Sequence, residues 1–162
     1  MARCSKSDEL AVKRMIALDT NFLVYAHRSD NPFHLIARTA IERLVQGLFP
    51  WGVPVVCVHE FLAVVTNPKI FKQPTPRGTA FAQVEALLTQ SGARLLIPTD
   101  RHLAVLSQLA ESAQTIGAQF HDARIAAICL ENGITTLWTV DRDFSAYPQL
   151  MCQSPKDLVF AN

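Results

Sequence analysis

Short apolar runs alternate with longer stretches of helical periodicity along most of the chain. The runs at 15–18, 53–58, 94–97 and 134–140 are rich in Ile, Leu, Val and Thr and read as strands. Between them, apolar residues recur at three- and four-residue spacing. The clearest helix opens at Asn31-Pro32, a cap followed by proline at the first helical position. It places Phe33, Ile36, Ala37, Ala40, Ile41, Leu44 and Val45 on one face and stops near Gly47. Further helices are predicted over 58–66, over 75–90 (Phe81, Val84, Leu87, Leu88) and over 99–113 (Leu103, Leu106, Leu109). A last helix begins at His121 or Asp122 and ends at Asn132-Gly133.

Strands joined by helical crossovers assemble most readily as a parallel sheet covered on both faces. The expected fold is therefore α/β, a three-layer sandwich with a central parallel sheet of four or five strands flanked by helices. Trp51-Gly52 is expected to turn into the second strand, with Pro54 opening it where a missing N–H is tolerated. Residues 1–14 are polar and aperiodic and read as an N-terminal extension, leaving 15–162 as a single domain. The proline-broken segment 67–78 carries Lys69, Lys72 and Arg77 and is the candidate substrate-facing clip.

Composition narrows the class. With 49% apolar and only 18% charged residues the chain of 162 can bury a sizeable core. Lys plus Arg number 15 against 14 Asp plus Glu, a net +1, so a polyanion must be met by a local patch rather than by bulk charge. The four cysteines, Cys4, Cys57, Cys129 and Cys152, form no C-x-x-C pair and read as reduced core residues. No apolar stretch approaches membrane-spanning length, and the first residues lack the apolar core of a secretion signal, so a cytoplasmic, membrane-free protein is expected.

The candidate chemistry lies in the acids. Asp19 follows the first strand, Glu60 the second and Asp141 the fourth, with Asp143 two residues on, and Asp122 opens the last helix. In open α/β sheets ligands bind beyond the carboxyl ends of the strands, where these residues converge. Taken singly, Asp19 and Asp122 fit as N-caps and Glu60 as a first-turn acid. Taken together, carboxylates gathered at one rim repel one another unless a cation sits among them. All-oxygen donors suit a hard ion, Mg²⁺ or Mn²⁺, whereas zinc would call for clustered Cys and His. His59 and His121 each precede a key acid and read as supporting or core histidines.

The motifs D-T-N after the first strand, E after the second, H-D-A-x-I-A-A and T-x-D-x-D-F resemble the PIN-domain ribonucleases, in particular the VapC-type toxins, over about residues 15–155. The resemblance implies a Mg²⁺- or Mn²⁺-dependent cut in single-stranded RNA, with Asp19, Glu60, Asp122 and Asp141 in the metal-binding and catalytic places. Asp143 matches an additional acid found in some members, Thr20 and Asn21 match residues lining the site, and Thr139 the Thr or Ser before the fourth acid. It also implies a VapB-like antitoxin and a homodimer built through about residues 60–90. The expected mechanism is attack on an RNA phosphodiester by a metal-activated water. Arg124, Arg142, Lys69, Lys72 and Arg77 are the candidate RNA contacts.

Two other readings remain at this point. A receiver-like or phosphatase-like phosphoacceptor domain is kept in view by Asp100 after the third strand and by Lys156, but leaves Glu60 without a task. A catalytically silent RNA-binding module fits the fold but not the full set of acids.

Overall fold

The computed structural model describes residues 15–47, 49–154 and 157; the extension 1–14 with its Cys4, and Lys156, lie outside them. Five short strands form one sheet: β1 (Ile16–Leu18), β2 (Trp51–Pro54), β3 (Arg94–Leu96), β4 (Thr136–Trp138) and β5 (Met151–Gln153). Their order is β3-β2-β1-β4-β5 and every pairing is parallel. Successive strand residues face opposite sides, so the unbroken burial of β2 and β4 means that both faces of the sheet are covered.

Among the described residues six α-helices do the covering: α1 (Thr20–His27), α2 (His34–Gln46), α3 (Val55–Val65), α4 (Arg77–Gln90), α5 (His102–Ser112) and α6 (Phe120–Glu131). The most enclosed is α6, where Ala123 and every residue from Ile125 to Cys129 are buried. Its alanines let neighbouring elements approach closely. Phe22, Leu18, Ile128, Ile134, Leu137, Val53 and Val65 complete the centre of the core.

Several boundaries depart from the sequence pattern for physical reasons. The run 53–58 is divided: the strand is Trp51–Pro54, and Pro54 ends it instead of opening it. Trp51 and Gly52 are strand residues, paired with Ile16 and Ala17, not a turn. From Val55 the chain is helical, burying Cys57, Val58, Phe61 and Val65 at helical spacing. A short apolar run looks the same to periodicity whether it is a buried strand or a buried helix. The sequence pattern lays out no helix over 20–27, although Asp19 fits as an N-cap, and it is the cap of α1. Asn31 does accept a bond from the Phe33 amide, at 2.8 Å, but in a turn that precedes α2. Val45 and Phe81, expected on buried stripes, are 46% and 61% exposed.

The segment 66–76 is fastened down rather than free. The Arg28 guanidinium stacks 4.0 Å above the Phe71 ring and donates to the Gln73 carbonyl at 2.9 Å. His27 and Thr75 share a side-chain bond of 2.9 Å. This anchors the segment at the end of α1 remote from Asp19, about 10 Å along the helix. Cys57 and Cys129 are buried free thiols, but Cys152 stands exposed on the edge strand β5, so it is not a core residue. No described helix is long and apolar enough to cross a membrane.

Close packing of β2 against β3 generates a prediction. A Cβ at Gly52 would stand 2.6 Å from the Arg94 carbonyl oxygen and 3.0 Å from Leu96 Cδ2. Gly52→Ala should therefore cost about 2 kcal/mol or more. Calorimetry should show a melting temperature roughly 4–8 °C lower; an unchanged value would contradict this packing.

Candidate functional site

The chain steps from β1 outward to β2 and β3 on one side, then crosses to β4 and β5 on the other. The crevice between the carboxyl ends of β1 and β4 is thus where strand order reverses, the place such sheets use for ligands. Asp19 directly follows β1 and Asp141 comes shortly after β4.

Asp19 is 4% exposed, and a carboxylate so placed needs donors. The Thr20 amide donates to Oδ1 at 2.7 Å and the Thr139 hydroxyl to Oδ2 at 2.6 Å. The Cys57 thiol, its Sγ 3.8 Å from Oδ1, adds a weak third donor. Asp19 is also the N-cap of α1, so capping and site chemistry coincide in one carboxylate. The Thr139 oxygen accepts the Asp141 amide at 3.0 Å, and one hydroxyl thereby ties the end of β1 to the turn after β4. The Thr20 hydroxyl donates to Glu60 Oε2 at 2.7 Å, which brings an exposed side chain of α3 to the same crevice.

Asp141 caps the short 3₁₀ turn Arg142–Ala146 by accepting the Asp143 amide at 2.9 Å. Oxygens of Asp122, Asp141 and Asp143 consequently lie within 4.8 Å of one another. Asp122 is the third residue of α6 and is not its cap; that position belongs to Gln119, which makes no side-chain cap bond. The capping explanation of Asp122 is thereby removed.

The acids feel each other. Burial pushes the Asp19 carboxyl up to about 6, the Thr139 and Thr20 bonds oppose this, and the charges of Glu60 and Asp122 add to it. Asp122 is also raised, by burial first and then by Asp141, Asp143 and Glu60; His121 beside it pulls the other way. No ion pair among the described residues involves any of the five acids. The arrangement is an acidic pocket with an unbalanced charge, and its all-oxygen donor set fits a hard divalent cation.

The other expected site residues are placed as follows. Asn21 lies partly buried in the first turn of α1, and Arg142 is exposed between Asp141 and Asp143. Arg124, in α6, has a buried Nε with no hydrogen-bond partner. Lys69, Lys72 and Arg77 are exposed on or just after the anchored segment, and nothing brings them to the acids. His59 and His121 are exposed, so neither is a core histidine. Asp100 follows β3, the edge strand two removed from β1. Tyr25 was missed: burial and then the charge of Asp19 raise its hydroxyl, which marks it as a neighbour of the site. It lies on α1, the helix that the pattern concealed.

A family model for the PIN domain matches residues 16–150. The ribonuclease VapC43 of Mycobacterium tuberculosis is 38% identical over 143 residues, 88% of this chain and 97% of that protein. The ribonuclease VapC25 of the same organism is 37% identical over 133 residues, 82% of this chain and 93% of its own. Among solved structures, VapBC2 from Rickettsia felis bound to a promoter DNA fragment aligns with a TM-score of 0.64 at 17% identity, covering 86% of this chain and 98% of that one. The M. tuberculosis toxin VapC20, which cleaves the sarcin-ricin loop, aligns at 0.59 and 18%, covering 81% and 93%. At those identities the structures speak for the fold alone.

Asp19 sets a pH dependence of stability in the absence of metal. Its carboxyl titrates at about 6 in the folded chain against 3.8 ordinarily, so the folded state holds a proton that the unfolded chain has released. The resulting stabilisation is complete below pH 4, is lost as pH rises to about 6 and is flat above, on the order of 3 kcal/mol in all. Urea unfolding of the parent and Asp19→Asn in chelator should show the parent losing ground to the variant across that window. A constant difference from pH 4.5 to 7.5 would refute the shift.

Proposed function

The chain belongs to the PIN-domain family, and from that membership and the geometry of its acids we propose that it is a metal-dependent endoribonuclease, the toxin of a VapBC-type toxin–antitoxin pair. The observation that carries the reading is the close approach of the Asp122, Asp141 and Asp143 oxygens, in no ion pair among the described residues, beside the buried Asp19. Its curated relatives are ribonucleases, and several structural neighbours are toxin–antitoxin complexes.

Asp122, Asp141 and Asp143 would hold Mg²⁺ or Mn²⁺, with Asp19 and Glu60 completing the acidic surround. A divalent ion there supplies an activated water and neutralises charge developing on the phosphodiester. The protein's part is preorganisation. Thr139 and Thr20 spend their hydroxyl protons on Asp19 and Glu60, fixing the orientation of both acids before substrate arrives. The raised carboxyl groups of Asp19 and Asp122 must both be deprotonated to bind a cation, so metal affinity falls with acid. Arg142, which follows Asp141, and Arg124, two residues beyond Asp122 with a buried Nε that lacks a partner, are the candidates for RNA phosphates. Lys69, Lys72 and Arg77 would meet RNA running beyond the site.

The partner is a VapB-like antitoxin that blocks the pocket with a basic residue, and the cellular setting is the cytoplasm. A homodimer through about residues 60–90 is supported by the exposure of Ile70 and Phe81 on that stretch.

Purified protein freed of antitoxin should cut RNA with Mg²⁺ or Mn²⁺ and stop in EDTA. Asp122→Asn should lose cleavage yet melt at an equal or higher temperature than the metal-free parent, because one repulsive charge is gone. Mn²⁺ at a hundredfold excess over its Kd should stabilise the parent by about 2.7 kcal/mol and the variant by less. Cleavage that continues in EDTA, or equal metal shifts with retained cleavage in Asp122→Asn, would remove the ion or this residue from the mechanism.

A further inference from the structure

The acids account for bond cleavage but not for how RNA is seated beside them. A cleft of about 700 Å³ opens directly from the site, with Thr139 and Asp141 in its wall, and continues past Tyr25, Arg142 and Tyr147 to Cys152 and Ser154. A cavity of about 510 Å³ between α1, α2, α3 and α4 contains none of the five acids. The cleft is far larger than a phosphate requires and lies in the size range of small-molecule pockets.

Its chemistry varies along its length. At the acid end Arg142 is exposed beside Asp141. In the middle, Tyr25 is only partly buried, its ring 5.4 Å from that of Phe33, and its hydroxyl makes no hydrogen bond among the described residues. Tyr147 and Leu150, both buried, form an apolar floor. The far end is polar again, with Ser154 and the carboxylate of Asp157, which accepts the Ser154 amide at 2.8 Å, beyond β5. An aromatic wall between a cation and hydrogen-bonding groups, next to a place where a phosphodiester is cut, suits a flat heterocycle attached to a phosphate. Single-stranded RNA is recognised through such splayed bases, stacked on aromatic side chains and bonded along their edges.

We propose that this cleft is the subsite for the nucleobase next to the scissile phosphate, with Tyr25 as its stacking surface. The assignment rests on the endoribonuclease reading above and adds where the substrate's base is held. The Tyr25 ring stacks on the base, Arg142 meets the phosphate, and Ser154 lies within reach of the base edge. Because Tyr25 holds a base and takes no part in bond breaking, its loss falls on substrate binding.

The test uses the four nucleoside 5′-monophosphates with Mg²⁺, followed through backbone amide shifts in the parent, Tyr25→Phe and Tyr25→Leu. Cys152→Trp, on the exposed edge strand, obstructs the cleft instead of removing the stacking ring. At least one nucleotide should shift amides at Tyr25, Val140, Cys152 and Ser154. Tyr25→Phe should bind within about threefold of the parent, while Tyr25→Leu and Cys152→Trp should bind roughly tenfold more weakly. Shifts confined to other surfaces, identical shifts from inorganic phosphate alone, or parental affinity in both Tyr25→Leu and Cys152→Trp would overturn the subsite. RNA cleavage by the parent, measured in parallel, separates the two claims. Cleavage without nucleotide in the cleft sinks the subsite alone, and nucleotide in the cleft without cleavage sinks the nuclease.

Discussion

One carboxylate is buried at the point where the sheet reverses its strand order, and much of the structure around it serves to keep it there. Asp19 is nearly sealed from solvent, yet it stands in an acidic crevice where ionisation is opposed by burial and by its neighbours. It is retained because its two oxygens are met by the Thr20 amide and the Thr139 hydroxyl. Leaving such a group without donors would cost several kcal/mol. Each donor has a second consequence: the Thr20 amide starts α1, and the Thr139 oxygen receives the Asp141 amide. Satisfying one buried charge thereby fixes the end of β1, the start of a helix and the turn that presents Asp141 and Asp143.

The same arrangement explains why the site is poised for a cation. Backbone geometry, through the Asp141 cap of the 3₁₀ turn, folds Asp143 back beside Asp141, and α6 delivers Asp122 from its first turn. None of these carboxylates has a basic partner among the described ion pairs. The fold thus holds like charges together and leaves their repulsion to be relieved from outside, which is the signature of a site selected for function at the expense of stability. In the reading proposed here the relief comes from a hard metal ion during catalysis and from a basic antitoxin residue at rest.

Much of this is legible in the amino-acid sequence, and the reasons are particular. Asp19, Asp141 and Asp143 sit beyond strands, and a parallel α/β sheet brings such positions to one edge; Glu60, expected just after the second strand or in a helix first turn, is instead the sixth residue of α3 and meets the crevice through the bond from Thr20. The division of 53–58 into strand and helix is not legible, because an unbroken apolar run of Val, Pro and Cys carries no period that distinguishes the two. α1 is hidden although Asp19 fits as its cap, because Asp19-Thr20-Asn21 draws attention as the site motif and not as the start of a helix. With α1 went Tyr25. Asp143 was the least secure of the acids in sequence, yet it belongs to the tightest group, since only the cap bond from its own amide shows that it turns back. The segment 67–78 draws attention through Lys69, Lys72 and Arg77, which are exposed on it, while the contact that ties it to α1 comes from Arg28, stacked on Phe71, a residue outside the segment.

The most direct measurement is a carbon-detected NMR titration of the Asp19 carboxyl, without metal and with saturating Mg²⁺. If the buried acid is the hinge of a cation site, it titrates near 6 in the free protein and well below its ordinary 3.8 once Mg²⁺ is bound. Titration near 3.8 under both conditions would contradict the account, since Asp19 would then be an ordinary helix cap with no stake in the acids around it.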